Sequence, residues 1–198
     1  MRSRVGRGCL TVAAIVASAA GARGQAAPAS PIAIIQSGTL SFSGHATVGD
    51  FTGSTTTISG AVTGELSDAH GWVEARVGTL VTGNDHRDRD LRASMEVDKY
   101  PTMRFTLART AYDAATGATP IVLHGALTIH GVTRDVDLPA TAERSADTIH
   151  VTAGFPLDLR DYHIGGLTKM LGILRMDPHI EVHVDLRFLA TSSVNPEQ

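Results

Sequence analysis

Along most of this chain apolar residues recur at every second position, and that period constrains the fold more than any other feature of the sequence. The clearest run is Ile180, Val182, Val184, Leu186 and Phe188, interleaved with Glu181, His183, Asp185 and Arg187. The same spacing links Leu40 with Phe42, Ile58 through Gly60, Val62 and Gly64 to Leu66, Val73 through Ala75 to Val77, and Met103 through Phe105 to Leu107. It returns in Ile121, Leu123, Gly125, Leu127 and Ile129, in Val136 and Leu138, and in Ile149, Val151, Ala153 and Phe155. A period of two marks strands that cover one face and wet the other. The chain therefore reads as all-β, with about eight strands, the number at which an antiparallel barrel just encloses one small ligand.

Glycines interrupt the early strands at Gly44, Gly49, Gly53, Gly60 and Gly64. Glycine inside a strand marks a bend or bulge of the kind that turns barrel corners. Closure also removes the exposed edges of a long sheet; a sandwich fits the alternation alone. Two short helices are expected at a barrel end. One covers Asp88 to Val97, with Leu91 and Met95 on one side, and stops before Tyr100-Pro101 because the residue before proline is pushed out of helical geometry. The other covers Gly166 to Ile173. Neither is long enough to fold alone.

The N-terminus carries Arg2, Arg4 and Arg7, an apolar run from Cys9 to Ala20, and the small residues Ala20-Gly21-Ala22. That order is the pattern of a cleaved secretory signal, and the apolar run falls short of the roughly 20 residues of a membrane span. The expected organisation is a signal over 1–22, an Ala/Pro-rich leader over 23–36, a barrel domain over 37–190 and a disordered tail over 191–198, with the mature protein periplasmic or secreted. Cys9 is the single cysteine, and cleavage leaves no thiol for a disulfide. The formal net charge of −3 becomes more negative once the three arginines are removed, which argues against nucleic acid as a partner. A closed barrel of this size is also compatible with a homodimer.

Little in the sequence points to catalysis. It contains no G-x-S-x-G elbow, no H-E-x-x-H helix and no phosphate-cradling glycine loop. His179, Glu181 and His183 share one strand face in a spacing that suits zinc, but they lie opposite Ile180, Val182 and Val184, so their face is expected to be wet. The expectation is a protein that is not an enzyme and takes no metal or cofactor. The densest charges, Arg87, Asp88, Arg89, Asp90 and Arg92, fit either a solvated helix start or a buried ion network. The apolar faces of about eight strands either fill the interior or leave a slot for an apolar ligand. By alternation the candidate wall residues are Phe42, Ile58, Val62, Val77, Met103, Phe105, Leu127, Ile129, Phe155, Val182 and Leu186.

Several separated blocks bear on that choice. Thr82-Gly83-Asn84 is followed by Arg87-Asp88 and Leu91-Arg92, then by Lys99-Tyr100-Pro101 before a strand through Phe105, then by Leu127-Thr128-Ile129-His130-Gly131-Val132-Thr133. In this order, over roughly Ser37 to Phe188, they resemble the YceI-like family. The resemblance implies a lipocalin-like barrel that holds an isoprenoid lipid or a quinone tail in an elongated apolar pocket, without chemistry. It makes Asn84, Arg87, Asp88 and Arg92 a structural motif, with Arg87 or Asp88 tying the helix to the barrel, and it favours Met103 and Phe105 among the wall residues. Where the family often has Asp-Phe-Phe, this chain has Ser94-Met95-Glu96-Val97; Asp161-Tyr162-His163-Ile164-Gly165 resembles a family segment with its glycine displaced. The alternative reading is a secreted barrel with a filled core that acts by its surface, as an envelope interaction or inhibitor module.

Overall fold

Strands that cover only one face need a common interior, and here they obtain it by curling into a closed ring. The computed structural model describes residues 33–64, 69–112, 118–165, 168–169 and 174–190. The expected signal, most of the leader, the tail and Leu66 lie outside the described residues. The elements are β1 (Ala33–Ala46), β2 (Gly49–Thr55), β3 (Ile58–Thr63), β4 (His70–Arg76), α1 (Asp85–Ser94), β5 (Thr102–Tyr112), β6 (Ala118–Ile129), β7 (Val132–Ser145), β8 (Thr148–Asp158), β9 (Thr168–Lys169) and β10 (Leu174–Ala190). β1 starts inside the stretch expected as leader, because Ile34 and Ile35 pair with Leu189 and Phe188 of the last strand.

Hydrogen-bonded neighbours run β1-β3-β4-β5-β6-β7-β8-β10, and β10 returns to β1, so an eight-stranded antiparallel barrel closes. β2 pairs with the second half of β1, while β3 meets its start through Ala33↔Val62 and Ile34↔Ala61. β2 and β3 are thus two halves of one wall, bent at Thr56-Thr57. Three threonines hold the corner. The Thr79 hydroxyl donates to the Arg76 carbonyl at 2.8 Å and accepts from the Thr55 hydroxyl at 2.7 Å, and Thr55 in turn accepts from the Thr57 N–H at 3.0 Å. Thr55, buried in the corner, is thereby satisfied.

Bulges adjust the alternation to the curvature. The β1–β10 register shifts between Ile35 and Ser37, so the inward set passes from Ala33 and Ile35 to Leu40 and Phe42. β5 shifts against β6 between Leu107 and Arg109, which turns Thr110 inward after Leu107. An extra residue in one strand coils it and changes which parity faces the core.

The two barrel ends differ. At one, Ala33, Leu186 and Phe188, together with Ile121, Ala140 and Ala142, fill the lumen. At the other, α1 lies across the opening with Met95 in the largest apolar cluster and Leu91 and Val97 packed against it. Met95 and Val97 supply the apolar contact that seats the helix's end on the barrel. The helix begins earlier than expected, at Asp85, because Asn84 caps it: the Asn84 side-chain oxygen accepts from the N–H groups of His86 and Arg87 at 3.0 and 3.1 Å. It ends as expected before Tyr100-Pro101, with Glu96 in the left-handed region at φ 44°. Of the second expected helix, 166–173, only Thr168 and Lys169 are described. They are extended and pair with Arg175 and Leu174, since the ladder from β10 satisfies their backbone. Among the described residues α1 is the single α-helix, and no helix is long and apolar enough to cross a membrane.

Asn84→Ala removes an acceptor for two helix N–H groups. It is expected to lower unfolding stability by about 1 kcal/mol, read from the midpoint of a urea transition.

Candidate functional site

Between the plugged end and α1 the barrel encloses an apolar cavity of about 350 Å³. That lies at the small end of the range for ligand pockets, roughly 300–1,000 Å³, and suits a single slender chain. Of the residues expected on the wall, Phe42, Ile58, Met103, Phe105, Leu127, Ile129, Phe155, Val182 and Leu186 line it. Val62 and Val77 do not. Val62 packs beside Ala33, Leu186 and Phe188 at the plugged end. Val77 lies past the end of β4 in a tight turn, where its N–H donates to the Pro101 carbonyl at 3.0 Å, and it packs, only 1% exposed, beneath the helix. In both cases the parity is right but the position along the barrel axis is wrong.

Alternation also carried Leu40, Val73, Ala75, Leu123 and Val184, which line the cavity but were not singled out. Phe51, Leu91 and Met95 line it as well, and no strand period points to them, because one lies in a short strand after a tight turn and the others on a helix.

The lumen stays open where its rings lie against glycines. Phe42 pairs across the β1–β2 ladder with Gly53, and Gly44 pairs with Phe51. A Cβ at Gly53 would meet the Phe42 ring at 2.5 Å, one at Gly44 the Phe51 ring at 2.8 Å, and one at Gly125 the Phe105 ring at 2.8 Å. Each glycine lets a ring settle against the wall instead of reaching across the interior. Phe42 and Phe51 then meet edge to face at 6.3 Å between centroids, a favoured aromatic geometry. Gly44 and Gly53 were expected as bends. Gly44 does lie at a register shift of β1 against β10, but the sharp corner in β2–β3 is made by threonines.

The mouth of the cavity lies between the β1–β2 turn (Ala46, Thr47, Val48), one side of α1 (Arg87, Asp90, Leu91, Ser94) and the start of β10 (Arg175, Met176). The charged motif fixes the helix there. Asp88, buried despite its charge, accepts from the Thr82 hydroxyl at 2.6 Å and the Thr82 N–H at 2.8 Å. Those hydrogen bonds, aided by Arg92 and Arg87, hold its carboxyl below the ordinary value of 3.8. Val81, next to Thr82, exchanges backbone hydrogen bonds with Ser54 at 2.9 and 3.0 Å, so Asp88 connects the helix to β2. Arg92 donates to the Gly78 carbonyl at 3.3 Å, and the Arg87 guanidinium lies 5.2 Å from the Phe51 ring centroid. Asp88 belongs to a buried network, whereas Asp85, His86 and Arg89 are exposed.

Of the motif-block histidines, His130 holds a loop through its side chain. His130, buried in left-handed geometry, donates through Nδ1 to the Tyr162 carbonyl at 3.2 Å, lies with Nε2 3.5 Å from a Glu96 carboxylate oxygen and packs edge-on to Tyr100. His179, Glu181 and His183 alternate with buried Ile180 and Val182 and are exposed. Nearby, Arg160 binds Asp158 through its guanidinium and backbone N–H, which holds the Asp158 carboxyl at about 2. Among the described residues no group of three or more His, Cys, Asp or Glu is arranged to hold a metal.

A family model described as the YceI-like domain matches residues 35–188. Among solved structures, one of a polyisoprenoid binding domain from Saccharophagus degradans aligns with a TM-score of 0.70 at 19% identity, covering 82% of this chain and 100% of that one. BcnA of Burkholderia cenocepacia aligns at 0.63 and 15% identity, over 76% of this chain and 95% of that one. The Campylobacter jejuni YCEI protein aligns at 0.55 and 19% identity, over 68% and 82%. No curated protein matches significantly. At these identities the structures share the fold.

Two outcomes follow from the site. Gly53→Ala forces the Phe42 ring off the wall and is expected to cost about 1–3 kcal/mol in chemical denaturation. A carboxyl whose folded value is lowered stabilises the fold above its unfolded value, near 3.8, and loses that contribution as pH falls through the folded value. The melting temperature of the wild type should therefore drop below about pH 4. Asp88→Asn should melt lower at pH 7 and show a shallower acid limb in the same pH series.

Proposed function

We propose that this chain, which belongs to the YceI-like family, is an exported, non-enzymatic protein that sequesters or carries an isoprenoid lipid or quinone in its barrel. The observation that carries the reading is the cavity itself: apolar along its length, blocked at one end, and reached past α1 at the other. A relative of the same fold is described as a polyisoprenoid binding domain, which supports extending that ligand class to this chain. Export rests on the charged, apolar and small-residue order of 1–22, and periplasmic or secreted localisation follows from it.

Magnitudes favour a long chain. About ten carbons taken out of water contribute roughly 8 kcal/mol at about 0.8 kcal/mol per CH₂, while association costs about 4–15 kcal/mol. A short ligand barely breaks even, and a polyprenyl tail does better with each unit enclosed. The narrow lumen selects slender, flexible chains, and the wall needs no polar group to hold them.

Native mass spectrometry of protein purified from the periplasm without detergent should show one co-purifying lipid, on a polypeptide whose mass lacks the signal. Ala153 lines the lumen, so Ala153→Phe should keep a cooperative melt yet reduce lipid affinity at least about tenfold, near 1.4 kcal/mol. Repeatedly empty protein, with no rise in melting temperature on adding a polyprenyl quinone, would remove the carrier reading.

A further inference from the structure

One ring nitrogen of buried His130 faces a carboxylate without bonding to it. His130 and Gly131 form the two-residue β6–β7 turn, both in left-handed geometry at φ 51° and 74°. His130 Nδ1 lies 3.2 Å from the Tyr162 carbonyl, and a carbonyl oxygen only accepts, so the neutral ring carries its proton on Nδ1. Nε2 then presents a lone pair. It is buried, makes no hydrogen bond among the described residues, and lies 3.5 Å from Glu96 Oε1. Two acceptors face each other across that gap. A second proton on the ring turns the same contact into a charge-assisted hydrogen bond.

The three segments that meet here each hold part of the cavity wall. Met95 beside Glu96, Ile129 beside His130, and Ile164 two residues past Tyr162 all line it. Glu96 is also where the chain leaves α1: it is left-handed at φ 44°, and its carbonyl accepts from the Lys99 and Tyr100 N–H groups at 2.8 and 2.9 Å. A force on Glu96 is therefore a force on the end of the helix. The turn is the firmer side of the contact, because the Tyr100 ring packs edge-on to His130 and so close to Gly131 that a Cβ there would meet it at 2.5 Å.

The surrounding charges are accounted for on each side. On the helix side, exposed Lys99 holds Nζ 3.6 Å from Glu96 and over the Tyr100 ring, and Asp98 is exposed on the same loop. On the other side Asp161 pairs with Arg134 at 3.2 Å, His163 is exposed, and burial raises the Tyr162 phenol above its ordinary value of 10. Glu96 is thus the anion set against His130, and a buried imidazolium needs such a partner. The exposed Lys99 pair competes weakly for it.

We propose that His130 and Glu96 form an acid-closed latch on the C-terminal end of α1. With both ring nitrogens protonated, His130 binds Glu96 and draws the helix end onto the β6–β7 turn, which tightens the cavity wall and slows passage into the lumen. The contact is lost as pH rises through the histidine range, between about 5 and 8. This holds whatever apolar molecule the cavity takes.

Amide hydrogen exchange of residues 95–100, corrected for the chemical exchange rate at each pH, tests the latch at pH 5.5 and 8. Protection in the wild type should be at least about threefold higher at the lower pH. Glu96→Gln keeps the shape, removes the carboxylate and offers an amide N–H to the neutral Nε2, so its protection should agree at the two pH values within about twofold. His130→Asn, which suits a left-handed turn position, should be equally flat and stands in if Glu96→Gln does not fold. The variants matter because His45, His124, His150 and His179 also meet carboxylates, away from α1. Equal wild-type protection at both pH values, or a pH dependence that survives in either variant, overturns the latch. Stopped-flow release of N-phenyl-1-naphthylamine, a neutral apolar fluorophore, should slow at least about threefold at pH 5.5 in the wild type alone. Release that ignores pH while protection changes, or failure of the lumen to retain the fluorophore, overturns the control of passage and leaves a structural latch.

Discussion

Everything in this molecule depends on the pairing of its first and last strands. β1 lies antiparallel to β10 from Ala33↔Ala190 to Ala46↔Met176, and that ladder turns a curling sheet into a tube. Closure leaves no edge among the eight wall strands. It also fixes the lumen's width, because the diameter of a barrel follows from its strand number. Once the ring is shut, the inward side chains must share a space whose size they do not set. Whether the protein has a core or a cavity then depends on how far those side chains reach.

Here they reach unequally. At one end Leu186 and Phe188 pack with Ala33, and Ile121 packs with Ala140 and Ala142 in a second cluster. In the middle, Phe42 and Phe51 sit over glycines of the partner strand, and Phe105 over Gly125. A ring so placed buries its area against backbone and takes little of the lumen. The sheet gains aromatic burial and the protein keeps a void, with no polar group needed to hold it open. One end therefore supplies stability, and the middle supplies capacity.

The helix completes the division. Alone it is too short to persist in water, and its mean composition is strongly polar. Asn84, Asp88 and Arg92 give it fixed partners in the capping turn, Thr82 and Gly78, while Leu91 and Met95 give it an apolar underside. These contacts locate the helix across the opening. Arg87, in the same row, packs its guanidinium over the Phe51 ring.

Much of the fold was legible in the sequence, for a physical reason: alternation is local, and a residue's parity within a strand survives whatever the strand pairs with. Phe42, Met103, Phe105, Leu127 and Val182 face inward as their spacing required, and His179 and His183 face out. The motif blocks identified the family, and Pro101 marked where the helix had to stop. Other features depend on distances along and across the barrel, which no local period encodes. Val62 and Val77 have the inward parity but fall beyond the cavity's ends. Gly44 and Gly53 read as bends, and only cross-strand register shows them to be seats for rings. The charged run was open to a solvated or a buried reading until Thr82 was brought beside Asp88. The sequence alone determined that this chain folds into an all-β structure with one apolar face, because that follows from neighbouring residues. Only the tertiary structure decided that the enclosed space stays open and where it opens, because that depends on how far side chains from eight separate strands reach toward a common axis.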